Sequence, residues 1–75
     1  MRSGNDTRSA FGARLRVIRL QVGISQEELA ARAGLHRTYV SSVERGQRNI
    51  ALANIHALAD ALGVAASDLF EDKSR

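Results

Sequence analysis

A chain of 75 residues allows one domain with a small core, and such a domain buries only ~60% of its unfolded surface. Its lack of cysteine excludes disulfides and thiolate metal sites, and no apolar run approaches the ~20 residues needed to span a bilayer. The net charge of +3 is unevenly divided: residues 1–50 carry +5 and residues 51–75 carry −2, so a polyanion is the natural partner of the first part.

In chain order, residues 1–7 have little to bury and are expected to form a frayed tail. The polar start MRSGNDTRS offers no apolar signal region, which makes a soluble cytoplasmic protein the expectation. Phe11, Leu15, Ile18 and Val22 recur at helical spacing and predict a first helix over 8–21, ended by Gly23. Arg19 lies at the edge of this stripe, where its stem can pack while its head seeks a carboxylate. Leu20 falls off the stripe.

Residues 25–46, SQEELAARAGLHRTYVSSVERG, then read as two short helices joined by a tight turn. Ser25 is a cap, and Glu28 three residues later completes the pattern of a capping box. Gly34 supplies the left-handed residue that ends this helix. A further helix follows over 37–45. At about 100° per residue, Val40 and Val43 fall on one side and Arg37, Thr38, Ser41, Ser42 and Arg45 on the other. That outer face holds two guanidinium groups, three hydroxyls and no carboxylate. It suits base edges lying between two rows of phosphates.

Residues 47–51 read as a loop carrying one cation and several amide groups. A fourth helix is expected over 52–62, with Ile55, Leu58, Ala59 and Leu62 inward; Ala51 is a poor cap for it, and Gly63 ends it. A last short turn begins near Ser67, with Leu69 and Phe70 as apolar anchors. The predicted fold class is all-α: a compact five-helix bundle with a helix-turn-helix motif over 8–71, followed by a tail at 72–75.

The chemistry of an enzyme is missing from this pattern. His36 and His56 are the only histidines, too few for a zinc site. The serines lack a plausible histidine–carboxylate pair, and no glycine-rich loop follows a strand. We therefore expect no catalytic activity, no cofactor and no metal. His36, where the recognition helix begins, reads as a cap or phosphate contact.

SQEELAARAGL, a following helix ending in VERG, and LADALGV…DLF together resemble the XRE-type helix-turn-helix family of phage repressors and bacterial transcription regulators over residues 11–70. HRTYVSSVERGQRNI resembles, more narrowly, the controller proteins of restriction–modification systems, small dimeric regulators that activate at low occupancy and repress at high occupancy. The resemblance implies base readout by Arg37, Thr38, Ser41, Ser42 and Tyr39. It implies DNA-backbone contacts from Ser25, Gln26, His36, Arg45, Gln47, Arg48 and Asn49, and a buried ion pair between Arg19 and Glu44. Ala51 departs from the family, which often has Ser or Thr there.

The expected partners are a double-stranded operator with palindromic half-sites, a second copy of the chain, and RNA polymerase as a further candidate; a membrane is not expected. One short recognition helix reads few base pairs, and two-fold pairing doubles the site. Leu52, His56, Leu69 and Phe70, in the acidic part, are the candidate dimer interface, with a wholly core role for Leu69 and Phe70 as the alternative. Competing readings are a phage-type or antitoxin-like repressor of the same fold, and a protein-interaction adaptor that does not read DNA.

Overall fold

Glycine and serine punctuate the chain at the places where the helices break. The computed structural model describes the backbone of residues 4–70 and the side chains of residues 7–70. Helix α1 (Gly4–Val22) starts ahead of the expected Arg8, so residues 4–7 belong to it. The expected tail at 72–75 lies outside the described residues. Phe11, Leu15 and Ile18 are buried as one stripe, but Val22 is 40% exposed. Gly23 turns the chain at φ 88°, and Ile24 packs against the core at the helix end instead.

Helix α2 (Gln26–Ala33) is capped by Ser25, whose Oγ accepts a hydrogen bond from Glu28 N at 3.0 Å. The capping box is only half formed. The Glu28 carboxylate accepts from Arg32 Nε at 2.9 Å, one turn ahead, rather than reaching back to Ser25. Gly34 adopts the left-handed conformation and leads to helix α3 (Arg37–Glu44). His36 stands at the N-cap of α3, but its imidazole makes no capping bond.

Helix α4 (Leu52–Leu62) starts at Ala51 without a side-chain cap and ends at left-handed Gly63. The last element is a 3-10 turn, Ala66–Leu69, so the architecture is four α-helices and a terminal turn rather than five α-helices. Asp68 accepts from Ala65 N at 3.1 Å across this turn, and Phe70 N donates to Ser67 O at 3.0 Å. At three residues per turn, neighbouring side chains point in widely different directions. Leu69 is accordingly fully buried while Phe70 is 60% exposed. This corrects the assignment of Leu69 to an interface: it belongs to the core.

α1 packs on α3 and on the terminal turn, and α2 packs on α3 and α4. The core runs through Leu15, Leu29, Val40, Val43, Leu58 and Leu69, all closed from solvent. Arg14 Nε donates to Asp68 O at 2.9 Å and so ties α1 to the terminal turn. Among the described residues no helix is long and apolar enough to cross a membrane.

The α1–α3 crossing depends on Gly12. A Cβ built there would meet Glu44 O at 2.6 Å, and that backbone cannot rotate out of the way. Gly12→Ala therefore has to push the two helices apart. Overpacking of this kind costs about 1–3 kcal/mol, even though alanine is the better helix former. Urea unfolding of the variant should show a lower midpoint; an unchanged or higher midpoint would mean that the crossing relaxes freely.

Candidate nucleic-acid interface

α3 is eight residues long and is buried on one side through Val40 and Val43. The same geometry turns Arg37 and Thr38 to solvent at its N-terminal end. Among the described residues no hydrogen bond or ion pair engages either side chain. Further along, Ser41 and Ser42 are half-buried and already bonded: Ser42 Oγ donates to Thr38 O at 2.9 Å, and Ser41 Oγ accepts from Arg45. Arg45 Nε also donates to Gln47 Oε1 at 3.2 Å. The outer face thus has two parts, an unengaged pair at its start and a self-bonded row of Ser41, Arg45 and Gln47 behind it.

Tyr39 stands apart from both. It is half-buried, and its hydroxyl accepts from Asn54 Nδ2 of α4 at 3.1 Å. Arg48 Cζ lies 5.1 Å from the centre of its ring. The next loop residue, Asn49, accepts through Oδ1 from Arg8 of α1 at 3.0 Å. The loop is thereby held from two helices. Gly46, at φ 75°, begins it against Ser9, where a Cβ would come within 2.8 Å of Ser9 Cα.

Behind the face, Arg19 and Glu44 form a bidentate pair, Nε–Oε2 at 2.7 Å and Nη2–Oε1 at 3.0 Å. Their side chains are only 9% and 3% exposed. Arg19 Nη1 also donates to Ile24 O at 2.9 Å, and Gln26 Nε2 donates to Glu44 Oε1 at 2.9 Å. One carboxylate thus joins α1, α2 and α3. The hydrogen bonds that Arg19 donates to Glu44, helped by the charge of that carboxylate, raise the Arg19 pKa above the ordinary guanidinium value despite the opposing effect of burial. The guanidinium therefore stays charged across the working pH range.

Among the residues expected at the DNA backbone, His36, Arg45, Gln47, Arg48 and Asn49 are exposed. Ser25 is exposed with its Oγ engaged as the α2 cap, and Gln26 is half-buried with its amide on Glu44. Of the expected interface residues, Leu52 is 71% exposed and His56 is also open to solvent. The Phe70 ring lies 5.2 Å from that of Phe11, tilted by 50°. No group of three or more His, Cys, Asp or Glu that could hold a metal occurs among the described residues.

Residues 15–69 match the helix-turn-helix family model HTH_3. The chain belongs to this helix-turn-helix family. The helix-turn-helix protein is 48% identical over 68 residues to the control protein C.BamHI of Bacillus amyloliquefaciens, covering 89% of this chain and 84% of that one. It is 42% identical over 69 residues to the control protein C.MunI of a Mycoplasma species, covering 91% and 93%. Its structure superposes on the restriction-modification controller protein C.AhdI from Aeromonas hydrophila with a TM-score of 0.83 at 52% identity, covering 84% of this chain and 96% of that one.

Three residues of the helix-turn-helix protein carry geometry that the sequence pattern did not single out: Gly12, Asn54 and, as a loop anchor, Arg8. A glycine directly after a core position in a helical stripe was the available signal for Gly12, since it leaves room for a close backbone approach. Asn54 gave a weaker sign, as a polar residue beside Ile55 in the first turn of α4. Arg8 gave none, because its partner Asn49 lies 41 residues away.

Proposed function

We propose that this protein is a sequence-specific transcription regulator, the controller of a restriction–modification system, binding its operator as a homodimer in the cytoplasm. The observation that carries the reading is the unengaged Arg37 and Thr38 at the N-terminal end of α3. That end of a recognition helix meets base edges in helix-turn-helix docking. The likeness to named control proteins supports the controller role over the phage-repressor or antitoxin-like alternative. A dimer would place two such helices about one helical turn of DNA apart, roughly 34 Å. Leu52, His56 and Phe70 are the surface we assign to that pairing. Activation at low occupancy would bring RNA polymerase in as a further partner.

An adaptor that does not read DNA would need an apolar patch on this face. Arg37, Thr38, Ser41 and Ser42 stand there instead. The deciding experiment is a footprint on the DNA upstream of the protein's own gene. Two protected half-sites, with a methyltransferase or nuclease gene alongside, are expected; no protection would overturn the reading.

Arg48 sits in the exposed loop, where its reach is to phosphate. Arg48→Ala should weaken binding to operator and scrambled duplexes alike. It should also flatten the plot of log affinity against log salt by about 0.9 per lost contact, counted twice in a dimer. Titration over a range of salt measures this, and an unchanged slope would remove Arg48 from the phosphate contacts.

A further inference from the structure

We propose that Tyr39 is a positioning residue for Arg48 and not a reader of bases. The inference deepens the DNA-binding reading and rests on it.

Residues 47–51 form no helix, and Ala51 gives α4 no side-chain cap. A long, exposed arginine in such a loop samples many rotamers, and ordering it on a phosphate carries an entropic cost. Tyr39 limits that sampling, because the Arg48 guanidinium lies over its ring at 5.1 Å. The ring itself is held at both ends. Its backbone is in the rigid first turns of α3, and its hydroxyl accepts from Asn54 at 3.1 Å in a part-buried hydrogen bond.

The chemistry of the two groups fits this arrangement. An aromatic ring attracts a cation to its face. A guanidinium that lies against a ring keeps its N–H groups in its own plane, where they remain available to phosphate oxygens. The cation–π contact therefore orients Arg48 without consuming its donors. Asn54 occupies the Tyr39 hydroxyl only as an acceptor and leaves its O–H free, but turning the ring to a base would cost the contact with Arg48.

The test is a mutant cycle on the full-length protein, with the footprinted operator duplex and a scrambled duplex as probes. Tyr39→Leu should weaken both duplexes by about two- to fivefold per half-site, the range of an exposed cation–π contact. Tyr39→Phe keeps the ring and should bind within about twofold of wild type. In an Arg48→Ala background, Tyr39→Leu should cost nothing more. Asn54→Ala leaves the ring but releases its tip, and it should give a smaller loss that also vanishes in the Arg48→Ala background. This variant carries the cycle if Tyr39→Leu does not fold.

A second readout needs no DNA. The ring current of Tyr39 should shift the Arg48 side-chain protons upfield in wild type and in Tyr39→Phe, but not in Tyr39→Leu. Identical Arg48 shifts in all three proteins would overturn the proposal. So would a Tyr39→Leu loss confined to the operator and persisting without Arg48, which would make Tyr39 a base reader. If Arg48→Ala itself changes nothing on either duplex, the phosphate role of Arg48 fails and the proposal with it. A clear Arg48→Ala effect with an additive Tyr39→Leu effect sinks the positioning role alone.

Discussion

Glu44→Ala is expected to lower stability by about 3–5 kcal/mol, because it leaves the Arg19 guanidinium buried without its counter-charge. Only the Ile24 carbonyl would remain as an acceptor for that guanidinium. Gln26 would lose its partner as well. A domain of this size has a net stability of about 4–11 kcal/mol, so the variant should be largely unfolded at the low end of that range. Each kcal/mol moves the melting temperature of such a domain by about 4–8 °C. A thermal melt lowered by less than about 10 °C would show that the pair contributes far less than its burial implies. Replacing both partners with apolar residues of similar volume should recover much of the loss, because the stranded charge is then gone. The single and double variants together separate the cost of breaking the pair from the worth of having it.

Arg37→Ala should abolish most of the preference for operator at one base pair per half-site. A guanidinium that donates twice to guanine O6 and N7 is worth about 1–3 kcal/mol of discrimination. In a dimer the change occurs twice, so the operator-to-scrambled preference should fall by about 2–6 kcal/mol, a factor between tens and tens of thousands. Arg48→Ala, by contrast, should hold that ratio while reducing both affinities. The measurement is parallel titration of the two duplexes at one salt concentration. A ratio unchanged in Arg37→Ala would make Arg37 a phosphate contact and move the reading face elsewhere on α3.

The helices were legible in the sequence because their signals are local. A stripe at helical spacing announces α1, Ser25 announces the start of α2, and Gly34 and Gly63 announce helix ends through the one conformation that glycine adopts freely. The absent cap at Ala51 was equally local, and α4 does start without one. Expectation and structure part where a contact is set by distant residues or by a small change in helix type. Val22 continues the stripe in sequence, but the turn at Gly23 lets Ile24 reach the core instead. Leu69 and Phe70 are adjacent and equally apolar, and only the 3-10 geometry decides which of them points inward. Tyr39 looked like one more residue beside a polar face until Asn54 and Arg48, 15 and 9 positions away in sequence, closed on it. The outer face itself could be listed from periodicity, but its division into an engaged row and an unengaged pair depends on side-chain bonds that periodicity does not carry.

The carboxylate that joins three helices sits at the last residue of α3, whereas Arg37 is the first. α3 is therefore fixed by the ion pair at its last residue and by Tyr39 and Val40 along its inner side, while its first residue, which does the proposed reading, projects beyond these holds. At 1.5 Å per residue the two ends are about 10 Å apart. A swing of about 10° at Glu44 would carry Arg37 through nearly 2 Å, whereas hydrogen bonds to a base edge tolerate a window of only about 0.5 Å. The loop cation Arg48 is held by Tyr39, and its attraction to the DNA backbone falls off slowly with distance. Small disturbances near Glu44, including any Gly12→Ala protein that still folds, should therefore blur which sequence is recognised well before they weaken the grip on DNA as such.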